Sequence, residues 1–134
     1  MKIFVLGGDG FCGWPCAVNL ADEGHDVTII DNLSRRKIDV DLEVNSLTPI
    51  ASIGDRLKAW KDIGGKPISY IYLDIAKEFQ KLVDILREEK PDSIVHFAER
   101  RAAPYSMKNS ATKTYTVDNN VNGTHNLLAA IVES

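Results

Sequence analysis

Seven residues near the N-terminus, Gly7-Gly8-Asp9-Gly10-Phe11-Cys12-Gly13, directly follow a short apolar run and open a stretch with helical spacing. Gly7, Gly10 and Gly13 form G-x-x-G-x-x-G. A chain that leaves a strand, turns sharply and enters a helix brings free N–H groups and a partial positive charge to the turn. Glycines let its backbone touch an anion such as a pyrophosphate, where a Cβ would clash, and let helix and strand pack closely. The spacing differs from G-x-G-x-x-G, so the strand–turn–helix context carries the reading. Asp31 stands 21 residues after Gly10, at the end of the next apolar run. A carboxylate there accepts two hydrogen bonds from a ribose diol and repels a 2′-phosphate, so the expected cofactor is NAD rather than NADP. Arg35 and Arg36, just beyond, could instead neutralise a phosphate.

Further along, Asp74-Ile75 follows a third apolar run. An acid there can accept from the exocyclic amine of an adenine, and an aliphatic chain can cover a ring face; a helix-capping role is the plainer alternative. His96-Phe97-Ala98 ends a fourth run, where a small residue leaves room for the nicotinamide half, and His96 reads as structural. Glu99-Arg100-Arg101 follows, and arginine suits bidentate recognition of a phosphate or sulfonate. The two cysteines, Cys12 and Cys16, and the three scattered histidines offer no metal-ligand spacing, so no metal is expected.

The elements that must position these residues alternate. Lys2–Leu6, Asp26–Asp31, Ser69–Leu73 and Ser93–Ala98 read as strands. Phe11–Glu23 reads as a helix, with Phe11, Val18 and Leu20 sharing a face with Ala17 and Ala21. Lys77–Lys90 reads as an amphipathic helix built on Phe79, Leu82, Val83, Ile85 and Leu86, ended by Pro91. A last helix is expected from about Thr112 to the end, with Val117, Val121, Leu128 and Ile131 inward. Strands alternating with helices predict an α/β fold: a Rossmann-like parallel sheet with helices on both faces, incomplete at about four strands, in the order 3-2-1-4. The 134 residues form a single domain with an insert at about 32–68. The insert carries Ser34-Arg35-Arg36-Lys37 and a helix over Ser52–Ile63 with Leu57 and Trp60. Insertions of this size are often functional, a surface excursion being the alternative.

Composition excludes several classes. Nineteen acidic residues outnumber sixteen basic ones, for a net charge of −3, which argues against a nucleic-acid binder. No apolar stretch approaches the about 20 residues of a membrane span, and the N-terminus is no signal peptide, so a cytoplasmic location is expected.

Gly7–Gly13, Asp31-Asn32-Leu33, Asp74-Ile75, His96-Phe97-Ala98 and Asn119-Asn120-Val121-Asn122-Gly123-Thr124 together resemble the extended short-chain dehydrogenase/reductase superfamily, almost end to end and in order. Within it, Gly7–Pro15, Asp31–Arg36, Ser46–Ile53 and Ala103–Met107 are similar to the UDP-sulfoquinovose synthases, and the long insert supports that narrower resemblance. It implies NAD as cofactor, with UDP-glucose and sulfite as partners: C4 is oxidised, water is lost to a 5,6-ene, sulfite adds at C6 and the C4 ketone is reduced. It implies cofactor contacts from Gly7, Gly10, Phe11, Cys12 and Gly13, the three glycines at the pyrophosphate. Asp31, Asn32 and Arg35 would hold the adenosine ribose and its phosphate side, Asp74 and Ile75 would flank the adenine, and Phe97, Ala98 and Asn119 would line the nicotinamide end. Arg101 matches a family arginine near the sugar or sulfite, whereas Arg100 stands where glutamine is expected. Family members are commonly dimers. The superfamily's chemistry needs a Tyr-x-x-x-Lys. Tyr70, Tyr72, Tyr105 and Tyr115 are followed four places on by Asp74, Ala76, Asn109 and Asn119, so no catalytic residue is assigned. The expectation is an N-terminal portion without its substrate domain, inactive alone and with an uncovered edge on the fourth strand. A stand-alone NAD-binding module and another UDP-sugar epimerase or dehydratase are the alternatives.

Overall fold

A computed structural model describes residues 1–100 and 104–134. The chain divides into two compact units, Met1–Tyr72 with Asp92–Phe97, and Leu73–Pro91 with Ala98–Ser134.

The first unit holds the sheet. Strands β1 (Lys2–Leu6), β2 (Asp26–Asp31), β3 (Ser69–Tyr72) and β4 (Ser93–His96) are all parallel, in the order β3-β2-β1-β4. The Rossmann-like class and the order are those that the alternating pattern predicts. Ile3, Phe4, Val5 and Leu6 are consecutively buried, so β1 is covered on both faces, as the central strand of a parallel sheet must be. On one face Ile3, Val5, Val27 and Ile29 form a core with Ala17 and Ala21 of α1 (Gly13–Asp22). The insert joins this core: α3 (Ile53–Asp62) brings Ile53 into it, with Leu57 and Trp60 packed alongside. The insert helix is therefore part of the fold rather than an excursion from it. Ser52 caps it, accepting the Asp55 N–H at 3.1 Å.

One local expectation is corrected here. The first helix starts at Gly13, not Phe11, because the turn before it is needed to carry Gly13 over Gly7. Phe11 is left on the outside of that turn, 96% exposed, while Val18 and Leu20 do pack on the core. The arginine pair lies on a helix that the sequence pattern does not reveal: Ser34–Asp41, α2, buries only Ile38 and so has no apolar periodicity to read. Asn32 Oδ1 accepts the Ser34 N–H at its start (3.0 Å), and Arg35 pairs with Asp39 one turn on (2.9 Å).

In the second unit, α4 (Phe79–Glu89) and the last helix, α6 (Gly123–Glu133), pack on each other. Leu82, Val83 and Leu86 are buried on α4 as predicted, and a left-handed Lys90 before Pro91 ends it. The C-terminal helix is not continuous. Helix α5 (Ser110–Val117), capped reciprocally by Asn109 and Thr112, runs into a π-helical turn, Asp118–Asn122, before α6. A wide turn shifts the phase of everything after it. Gly123 then comes within van der Waals reach of Ile75, which sets the inward face as Gly123, Leu127 and Ala130. Val117, Val121, Leu128 and Ile131 are exposed, contrary to the inward face predicted for an unbroken helix.

Adjacent leucines on α6 test this phase. Leu127 is 5% exposed and Leu128 61%. Leu127→Ala is expected to cost about 2–5 kcal/mol in urea unfolding, and Leu128→Ala less than about 0.5 kcal/mol. Equal losses would restore the continuous-helix register.

Candidate functional site

The loop from β1 to α1 is closed by its own backbone. Gly10 N–H donates to Gly7 carbonyl (3.1 Å), Trp14 N–H to Gly10 carbonyl (3.1 Å), and Gly7 N–H reaches across to Ile30 carbonyl on β2 (2.8 Å). Gly7 has φ +78°, a region that favours glycine. A Cβ on Gly13 would sit 2.1 Å from Gly7 carbonyl oxygen, so helix and loop touch backbone to backbone. Gly8, an unassigned position of the glycine pattern, is equally constrained, since its Cβ would lie 2.5 Å from the Ile29 side chain.

Asp31 is held against this loop from the end of β2. Its Oδ2 accepts the Asp9 N–H (2.9 Å) and its Oδ1 accepts the Leu33 N–H (2.7 Å). Burial pushes its pKa up despite both bonds. Tyr70 on β3 donates its hydroxyl to the Asp31 carbonyl (3.0 Å), and burial, followed by the charges of Asp31 and Asp9, pushes that phenol up to about 12, so it remains a donor.

Two arginines converge on Asp9, whose side chain is 2% exposed. Arg36 places Nε 2.7 Å from Asp9 Oδ2 and donates from Nη2 to the Asp9 carbonyl (2.9 Å). Arg56, from the insert helix, pairs through Nη2 with Asp9 Oδ1, its guanidinium lying 4.5 Å over the Trp14 ring. Of the neighbouring arginines, then, Arg36 reaches the glycine loop, and Arg35 turns along α2 to Asp39. Asp9 and Arg56 are absent from the sequence-derived residues. An acid buried between the glycines of a tight turn demands a counter-charge, and that is the signal that points to them. Among the rest of the first unit, Phe11 and Cys12 are exposed on the loop, Asn32 Oδ1 accepts the Ser34 N–H just before α2, and Phe97 extends the β1–β4 ladder through its N–H to Leu6 carbonyl (2.8 Å).

In the second unit, Asp74, Ala76, Lys77, Tyr115 and Asn119 line a cleft of about 180 Å³. Asp74 Oδ1 accepts the Ala76 N–H (3.1 Å), Ile75 is buried beneath Gly123, and Asn126 donates to the Ile75 carbonyl (2.9 Å). The π turn delivers two asparagines to Ala98 and Arg100. Asn119 donates to Ala98 carbonyl (3.1 Å), while Asn120 accepts the Arg100 N–H (2.6 Å) and donates to Arg100 carbonyl (2.8 Å). Arg101, expected at the substrate, lies outside the described residues. Among the described residues no cluster of His, Cys, Asp or Glu could hold a metal, and Cys12 and Cys16 are free thiols.

The chain matches the NAD dependent epimerase/dehydratase family over residues 3–134. It is 46% identical over 132 residues to the chloroplastic UDP-sulfoquinovose synthase of Spinacia oleracea, covering 98% of this chain and 27% of that protein. It is 41% identical over 133 residues to the UDP-sulfoquinovose synthase of Sulfolobus acidocaldarius, covering 99% of this chain and 34% of that one. Its structure is similar to that of the UDP-glucose-4-epimerase of Stenotrophomonas maltophila with bound NAD and formylated UDP-arabinopyranose, with a TM-score of 0.73 at 25% identity over 99% of this chain and 34% of that chain. The chain thus spans about a third or less of the length of these relatives.

The raised pKa of Asp31 has a definite sign. The folded state binds its proton more tightly than the unfolded chain, so its stabilising contribution is complete below the ordinary value of 3.8 and is lost as pH rises through the folded value. Urea unfolding of wild type and Asp31→Asn from about pH 3.5 to 7 is expected to show wild type losing ground to the variant as pH rises, then a constant difference. A difference that moves the other way would mean an ion-paired Asp31.

Proposed function

Since the chain belongs to the NAD dependent epimerase/dehydratase family, we propose that it is the N-terminal, NAD-binding part of a UDP-sulfoquinovose synthase. The observation that carries the cofactor half is the Asp31 carboxylate held at the glycine loop. The residues present fit a dinucleotide. Gly8 and Gly13 let the loop close tightly on Ile29 and on Gly7, as a turn that brings backbone to a pyrophosphate must, and a diol can take the Asp31 lone pairs left by its two backbone bonds. A 2′-phosphate would meet that carboxylate, and Arg36 is already engaged by Asp9, which supports NAD over NADP. NAD, when bound, supplies a hydride acceptor for a sugar hydroxyl.

We assign the pyrophosphate to Gly7, Gly10 and Gly13, with further cofactor contacts from Phe11 and Cys12, the adenosine ribose to Asp31 and Asn32, and the adenine to Asp74 and Ile75. Phe97, Ala98 and Asn119 are assigned to the nicotinamide end and Arg101 to the substrate. Arg35 is kept only on the strength of the resemblance, because its side chain is committed to Asp39. UDP-glucose and sulfite are the proposed substrates of the longer chain, supported by the 46% and 41% identities to synthases. No tyrosine of this sequence is followed at four places by lysine, so the 134 residues alone are proposed to bind and not to turn over. A homodimer completes the proposal. The two free cysteines suit a reducing compartment, so we place the chain in the cytoplasm.

The test is to produce the longer reading frame beside this chain and supply UDP-glucose with and without sulfite. NAD is expected to bind both, about tenfold or more tighter than NADP, and UDP-sulfoquinovose to form only on the longer chain with sulfite. Asp31→Ala is expected to weaken NAD by about tenfold, the scale of a charged hydrogen-bonding group. A sulfite-independent UDP-galactose product would favour an epimerase instead.

A further inference from the structure

Beyond Asn32 and Arg35 at its start, the cofactor reading leaves the insert without a role. Arg56 of its helix α3 is 47 residues from Asp9 in sequence, yet it lies on the Asp9 carboxylate. Asp9 stands between Gly8 and Gly10, in the middle of the backbone that would face a diphosphate. Its N–H is already turned to Asp31 (2.9 Å), so two carboxylates meet at this turn. Left alone they would oppose any anion there. Arg36 and Arg56 supply equal positive charge, and the four groups cancel. The Arg56 side chain is 14% exposed and braced over Trp14, the second residue of α1, so its charge is delivered at a defined place and is weakly screened.

We propose that Arg56 is a positioning residue for dinucleotide binding: from the insert, it neutralises Asp9 so that the glycine loop presents N–H groups, and not an uncompensated carboxylate, to the diphosphate of NAD. The proposal rests on the NAD reading above. It assigns the insert a function, as the carrier of the loop's counter-charge. It also separates charge from mechanical support. If the pair only anchored α3, breaking it from either side would have the same effect. If it sets the charge of the loop, the two sides have opposite effects.

Nucleotide-free protein carrying its whole reading frame is titrated with NAD by calorimetry, with thermal unfolding of each variant recorded alongside. Arg56→Gln is expected to weaken NAD by about tenfold or more, the scale of one uncompensated charge close to an anion. That loss should shrink as salt rises from about 0.05 to 1 M. Asp9→Asn should bind NAD at least as well as wild type. The double variant D9N/R56Q should recover most of the lost affinity, and Arg56→Lys should keep it. A D9N variant that is folded and binds as poorly as R56Q would overturn the proposal, as would unchanged binding by R56Q. The D9N and R56K variants decide the matter if R56Q does not fold, since loss of NAD affinity in folded D9N, or in folded R56K, counts against it. Wild type that takes up no NAD would instead overturn the cofactor reading, and this proposal with it.

Discussion

A carboxylate that is 2% exposed and lies beside a second carboxylate is costly to bury without opposite charge in contact with it. Asp9 imposes that condition on the first unit. It draws Arg36 from α2 and Arg56 from α3 onto the turn between β1 and α1, and its N–H draws Asp31 from the end of β2. Four separate stretches of chain therefore meet at one turn. The glycines allow the meeting: Gly13 lies backbone to backbone on Gly7, and Gly8 lies on Ile29, so neither position has room for a side chain.

The same condition accounts for the fate of the basic residues in the insert. A sequence with Arg35 and Arg36 beside a dinucleotide loop invites the idea of a phosphate clamp. Both guanidiniums are already spoken for, one by Asp39 on its own helix and one by Asp9. The proposed preference for NAD at this edge then rests on Asp31, a half-buried acid each of whose oxygens accepts one backbone N–H. Burial holds its pKa up despite both bonds.

The second unit depends on a different device. One wide turn at Asp118–Asn122 aims Asn119 at Ala98 and Asn120 at Arg100, and it rotates the helix that follows. π turns recur where a side chain must be re-aimed, and here two successive amides are secured on one segment. The exposed row Val117, Val121, Leu128 and Ile131 is the other consequence of that rotation.

Strand positions, parallel order, the glycine loop and Asp31 were legible in the sequence because each depends on nearest-neighbour patterning: continuous apolar runs for buried strands, glycines where backbone must approach backbone, an acid at a strand end. Helix α4 was legible for the same reason, its apolar period being unbroken. Three things were decided only in the folded chain. The start of α1 moved from Phe11 to Gly13 because a turn had to fit between strand and helix. The inward face of the last helix changed because hydrogen bonding widened one turn, which side-chain periodicity does not encode. The partnership of Asp9 with Arg56 arose because burial of Ile53, Leu57 and Trp60 carried a helix from 47 residues away onto the loop. Local spacing determines which residues can do chemistry, and long-range burial decides which charges they must share it with.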